Sequence, residues 1–137
     1  MNPELIHILP LTKTQEYILK QYISKENEPW CYHTQFSYHI SIDEISWPLV
    51  FKAVKTTLDR HPVFKTVILP KDHGNFMQAS NANVNLQINY IDISFLNEQD
   101  QSVRVEEILL VDRNNPFDIN DFNKPLCRTY ILKRGDN

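Results

Sequence analysis

Glycine occurs only twice in the 137 residues, as Gly74 and Gly135. A phosphate-cradling loop, a dinucleotide-binding turn and a nucleophile elbow each need closely spaced glycines so that the backbone can turn sharply or approach a ligand. None of the three can be built here. Cysteine is equally scarce: Cys31 and Cys127 are far apart, and neither has a second Cys or a His at metal-ligand spacing. Two free thiols in a reducing compartment are the expectation, with no metal and no directly bound cofactor. No run approaches the roughly 20 apolar residues of a membrane helix, and the opening residues Met1 to His7 lack a basic start ahead of an apolar stretch. A cytoplasmic protein without a membrane partner is expected. Basic excess is missing too, since 14 Lys and Arg face 17 Asp and Glu for a net charge of −3. The totals carry no footprint for a nucleic acid partner.

What is present is enough for one core. At 42% hydrophobic and 23% charged residues, with no internal repeat or low-complexity linker, residues 1–137 read as a single globular unit. Thr12 and Gln15 have the spacing of a capping box, in which the Thr12 hydroxyl accepts from the Gln15 amide while the Gln15 side chain reaches back to the Thr12 amide. A helix is expected from about Lys13 to Ser24, with Ile18, Leu19, Tyr22 and Ile23 on its buried face. A second helix, capped by Asp43 or Ser46, should carry Trp47, Phe51, Val54 and Leu58 inward and end near Arg60, because Pro62 blocks continuation.

Between these helices the period changes to two. Tyr32, Thr34, Phe36, Tyr38, Ile40 and Ile42 alternate with His33, Gln35, Ser37, His39 and Ser41, which predicts a strand with the first set in the core and the second on a polar surface. Further strands are expected over Phe64 to Leu69 and around Phe76 to Ala79, joined as a hairpin through the turn-forming cluster Pro70 to Asn75. Val84, Leu86, Ile88 and Tyr90 suggest a strand ending near Ser94. Glu98 to Asn114 has helical composition with Val105, Ile108, Leu109 and Asp112 on one face, and Leu126 to Lys133 reads as the last strand. The order is mixed α/β (α+β), a mixed sheet with flanking helices.

Four local patterns then stand in a recognisable order: Pro10-Leu11-Thr12-Lys13-Thr14-Gln15, Tyr32-His33-Thr34-Gln35, Arg60-His61-Pro62-Val63-Phe64-Lys65-Thr66, and Pro116-Phe117-Asp118-Ile119 followed by Pro125-Leu126-Cys127-Arg128. Together they resemble the N-terminal part of the condensation domains of nonribosomal peptide synthetases, whose second signature is Arg-His-x-x-Leu-Arg-Thr-x-Phe. The resemblance implies part of the N-terminal lobe of a two-lobed fold like that of chloramphenicol acetyltransferase. It also implies an intact domain that joins acyl or peptidyl and aminoacyl thioesters, carried on the phosphopantetheine arms of peptidyl carrier proteins, into an amide. The family's His-His-x-x-x-Asp-Gly motif, which the resemblance makes the source of the reactive imidazole, does not occur in this sequence. Lys65 stands where the family has arginine, and an ammonium cannot reproduce a bidentate guanidinium contact.

No residue is therefore expected to be catalytic; Thr12, Gln15, Arg60, His61, Lys65, Thr66 and Arg128 are expected to support the structure. Arg60 and His61, at a helix C-terminus, interact favourably with the helix dipole whatever the protein does. His33 and His39 lie six residues apart, roughly 20 Å along an extended strand, so they cannot share an ion. Asp118 and Asp121 fit Asx turns better than paired acid-base work. Arg128, on a strand with apolar neighbours, needs a buried partner, most simply an aspartate.

The expected function is thus that of a catalytically silent portion of a condensation domain, with the remainder of that domain and carrier proteins as partners. An open sheet edge after the last strand predicts self-association. The alternatives are a stand-alone docking or scaffold module that binds carrier proteins, and one half of a split acyltransferase.

Overall fold

The structure, a computed structural model, describes residues 5–24, 33–41 and 46–135. Cys31, Tyr32, Ile42 and Asp43 lie outside the described residues. Among the described residues five strands and three helices follow one another as β1 (Leu5–Pro10), α1 (Lys13–Ser24), α2 (Trp47–Arg60), β2 (Thr66–Pro70), β3 (Phe76–Asn81), β4 (Gln87–Asp92), α3 (Glu98–Arg113) and β5 (Arg128–Lys133), with short 3-10 turns at Pro62–Lys65 and Asp72–Gly74. The α/β class is as the sequence suggests. Its strands are divided between two sheets.

The first sheet is antiparallel, in the order β1-β3-β2. Its β2–β3 hairpin pairs Val67 with Ala79 and turns through His73 and Gly74, both at positive φ. Val67 and Ala79 are almost fully buried and form a small core with Val84, against which Leu5 and Leu69 pack. β1 has no counterpart in the sequence expectations. It joins β3 with a register irregularity between Ile6 and Leu9, where His7 adopts positive φ, and such a break hides the period-2 signal on which a sequence reading depends.

The second sheet pairs β4 with β5 in parallel, from Gln87 opposite Arg128 to Asp92 opposite Lys133. Parallel neighbours need a crossover, and α3 supplies it. Gln101 of α3, 1% exposed, fixes this unit. Its side-chain nitrogen donates to the carbonyls of Leu96 and Gly135, and its oxygen accepts from the Gly135 amide and Arg134. Gly135 runs so close to Ser94 that a Cβ would stand 2.6 Å from the Ser94 carbonyl oxygen.

Helix boundaries follow the local chemistry. The α1 capping box is present, with Thr12 N donating to Gln15 Oε1 at 2.8 Å and Gln15 N donating to Thr12 Oγ1 at 3.3 Å. On the expected inner face of α1 Leu19 is buried and Tyr22 half-buried, but Ile18 and Ile23 remain exposed. α2 ends at Arg60 as expected and buries Leu58, while Phe51 lies at its margin, 37% exposed. The 3-10 turn after Pro62 delays β2 to Thr66.

The largest departure concerns residues 33–41. They form no ladder with any described strand, and the expected apolar core face does not form, while Ser37, His39 and Ser41 are exposed as expected. Phe36, Tyr38 and Ile40 are 76%, 84% and 70% exposed instead of lying in the core, whereas the side chain of His33, expected on a polar surface, is 4% exposed. Within it only His33 and Gln35 turn inward, toward buried polar groups.

Candidate functional site

Those polar groups meet at the last turn of α3. Asp112 is on the apolar face of that helix, together with buried Ile108, and is itself buried. A carboxylate there must keep its charge solvated by other means. Arg128, the first residue of β5, provides them: its Nε stands 2.7 Å from Asp112 Oδ1 with both side chains under a tenth exposed, a charge contact without the alignment of a hydrogen bond. The guanidinium donates through Nη2 to the main-chain carbonyls of Asp112, at 3.2 Å, and Asn115. It also lies over the Phe117 ring, 4.3 Å from the centroid.

The other carboxylate oxygen faces residues 33–41. Gln35 Nε2 donates to Asp112 Oδ2 at 2.9 Å and to the Leu109 carbonyl at 3.2 Å, and Gln35 Oε1 accepts from Arg113 Nη2 at 3.3 Å. His33 Nε2 lies 3.5 Å from the same Oδ2, its ring tilted against Phe117. His33 Nδ1 is buried without a hydrogen-bond partner among the described residues. Two tyrosines complete the cluster. Tyr22 donates to the Phe117 carbonyl at 2.7 Å, and burial pushes its phenol up. The Tyr130 phenol is also raised, by burial first and by the neighbouring Asp112 carboxylate second.

Three of the four sequence patterns are thus tied together. Phe117 of the last pattern meets His33 of the second, Arg128 of the last and His33 and Gln35 of the second share Asp112, and Cys127 Sγ reaches the Phe64 carbonyl of the third at 3.7 Å. Burial pushes the Cys127 thiol above its ordinary range. Gln15 of the first pattern docks elsewhere: it exchanges reciprocal amide hydrogen bonds with Gln78 of β3, at 3.1 and 3.2 Å, while Gln78 also donates to the Pro10 carbonyl.

The Arg60–Thr66 corner is held locally. Lys65 Nζ makes a single contact with Asp59 Oδ1 at 2.7 Å. Lys55, first, and Lys65 together hold the Asp59 carboxyl below its usual range. Thr66 Oγ1 donates to the Pro62 carbonyl at 3.2 Å, and the His61 ring meets Phe64 edge-on. Arg60 and His61 are exposed. Asp118 and Asp121 each accept from the amide two residues on, Asn120 and Asn123, as Asx turns.

Asp112, His33 and Gln35 are the residues that the sequence reading did not assemble. One signal was available: an acid in step with Val105, Ile108 and Leu109 on a buried helical stripe is a charge that needs a partner. Chemically the cluster is a neutralised ion pair sealed by amides and aromatic faces, suited to holding elements together. Among the described residues no group of three or more His, Cys, Asp or Glu side chains is placed to hold a metal ion, and no helix is long and apolar enough to cross a membrane.

A family model for the condensation domain matches residues 6–137. Among solved structures, a four-domain nonribosomal peptide synthetase bound to AMP and glycine is similar with a TM-score of 0.64 and 18% identity, over 98% of this chain and 10% of that one. The starter condensation domain of the rhizomide synthetase, in a doubly substituted form, is similar with a TM-score of 0.69 and 17% identity, over 95% of this chain and 30% of that one. A second substituted form, in complex with C8-CoA, gives 0.69 and 17%, over 93% and 28%. At such identities the likeness is one of fold, and the chain spans less than a third of each of these three structures. No curated protein matches the sequence significantly.

Proposed function

Because the chain belongs to the condensation-domain family, we propose that it is the N-terminal portion of a domain that joins a donor acyl or peptidyl thioester to an acceptor aminoacyl thioester, and that this portion alone forms no amide bond. The match over residues 6–137, by a chain that spans 30% of a solved condensation domain, carries this reading. The chemistry agrees with it. Amide formation from an amine and a thioester needs a titratable group within hydrogen-bond reach of the amine. His33 is buried against Asp112 and Phe117, and His61 lies exposed at the corner after α2. Neither belongs to a constellation of reacting groups.

On this reading Thr12, Gln15, Lys65, Thr66 and Arg128 act as structural support, and carrier proteins with their phosphopantetheine thioesters are partners of the intact domain. The chain alone should self-associate through its uncovered apolar surface. One observation favours a second reading, that of a docking module: the outward row of Phe36, Tyr38 and Ile40. Titrating the chain with isolated phosphopantetheine-loaded carrier protein separates the two. The support reading expects no saturable binding; specific, saturable binding contradicts it and establishes the module. Co-purification with a chain that carries His-His-x-x-x-Asp-Gly would instead identify half of a split acyltransferase.

A further inference from the structure

β5 lies beside β4 in one register, from Gln87 opposite Arg128 to Asp92 opposite Lys133, and the two strands themselves do little to choose it. Parallel ladder bonds are evenly spaced, so a slip of two residues restores them along most of the length. A buried strand face would fix the register through its side chains, but no residue of β4 or β5 is fully buried.

α3 supplies the missing choice. Its less exposed stripe is Gln101, Val105, Ile108, Leu109 and Asp112, apolar in the middle and polar at both ends. Each polar end holds one end of β5. At the first turn of α3, Gln101 donates to the Gly135 carbonyl and accepts from the Gly135 amide and from Arg134. At the last turn, the Asp112 carboxylate faces the Arg128 guanidinium, which also donates to the Asp112 carbonyl. Apolar contact has no direction and tolerates sliding. A buried amide or charge does not, because a slip takes its partners away.

We propose that Gln101 and Asp112 are positioning residues that set the register of β5 against β4, so that the polar ends of α3 specify which pairing forms. The inference stands on the geometry of α3 and β5 and is independent of the proposed function. It assigns to these buried polar groups the specifying role that a single buried polar residue has between coiled-coil helices.

Cross-strand nuclear Overhauser contacts in isotopically labelled protein read the register directly. In the unaltered protein Tyr90 should oppose Ile131 in a single set of contacts. Gln101→Leu with Asp112→Leu and Arg128→Met removes both polar ends and leaves no buried charge unpaired. Its β5 amides should each give more than one signal, with a second set of contacts displaced by two residues, about 6.6 Å along the strand. A second variant moves the cation instead: Arg128→Tyr with Tyr130→Arg in a Gln101→Leu background keeps an ion pair available, and is readable even where the first variant does not fold. It should draw β5 two residues along, so that Tyr90 opposes Lys133 in place of Ile131. A merely stabilising role would lower the unfolding midpoint of either variant and leave Tyr90 opposite Ile131. A single, unshifted register in either folded variant would overturn the proposal, and would show that the close contact of Gly135 with Ser94 sets the pairing unaided.

Discussion

Arg128 and Asp112 share a place from which water is nearly excluded, and each is the other's only full opposite charge there among the described residues. Removing one member of such a pair leaves a bare interior charge and typically costs about 3–5 kcal/mol. Asp112→Asn or Arg128→Met alone should therefore lower stability by roughly that amount in urea unfolding, whereas the joint apolar replacement should lose far less. The need of Arg128 for a carboxylate was legible in the sequence, because a guanidinium among apolar strand residues cannot stay unpaired. Its identity was not, since Asp112 and Arg128 are brought together only by the crossover from α3 to β5.

Cys127 carries a prediction of its own. Burial holds its thiol above the ordinary range, so folding favours the protonated form. That contribution is complete below the ordinary thiol pKa and is lost as pH rises through the raised one. Alkylation followed at the Cys127 peptide should be slow at neutral pH, with a profile displaced upward from that of the denatured chain. A profile matching the denatured chain would show that Phe64 and its neighbours do not cover the sulfur.

At the scale of the element, the helices were readable where a terminus has its own chemistry. Thr12 and Gln15 form the box their spacing suggested, and Thr12→Ala should cost about 1 kcal/mol by thermal unfolding. Gln15→Ala should cost more, because it also breaks the amide pair with Gln78. Pro62 ended α2 as it had to. What could not be read was any element whose conformation depends on distant partners. β1 exists through pairing with β3, more than 60 residues on, and His33 and Gln35 turn inward to Asp112, which lies more than 70 residues away. Gly135 is a further case: its lack of a side chain matters because Ser94 lies against it, and Gly135→Ala should destabilise the β4-α3-β5 unit by about 1–3 kcal/mol. Protection of the β5 amides in hydrogen exchange should fall with it.

At the scale of the molecule, large apolar side chains are left uncovered. Phe36, Tyr38 and Ile40 on one segment, and Ile6, Ile8 and Leu9 on β1, are all exposed, and uncovered apolar side chains favour association. Mass-resolved light scattering should find a dimer or larger species; a clean monomer at high concentration would count against that expectation. The order of the four patterns made the family legible from sequence, and the fold agrees with it. On the proposed function, the groups held together here support the fold and the reacting group belongs to the rest of the domain. The direct measurement is amide formation: the purified chain is incubated with donor and acceptor thioesters on their carrier proteins, and the condensed product is followed by intact-mass spectrometry. Product at the level of the protein-free control is expected, and sustained turnover by this polypeptide alone would contradict the account.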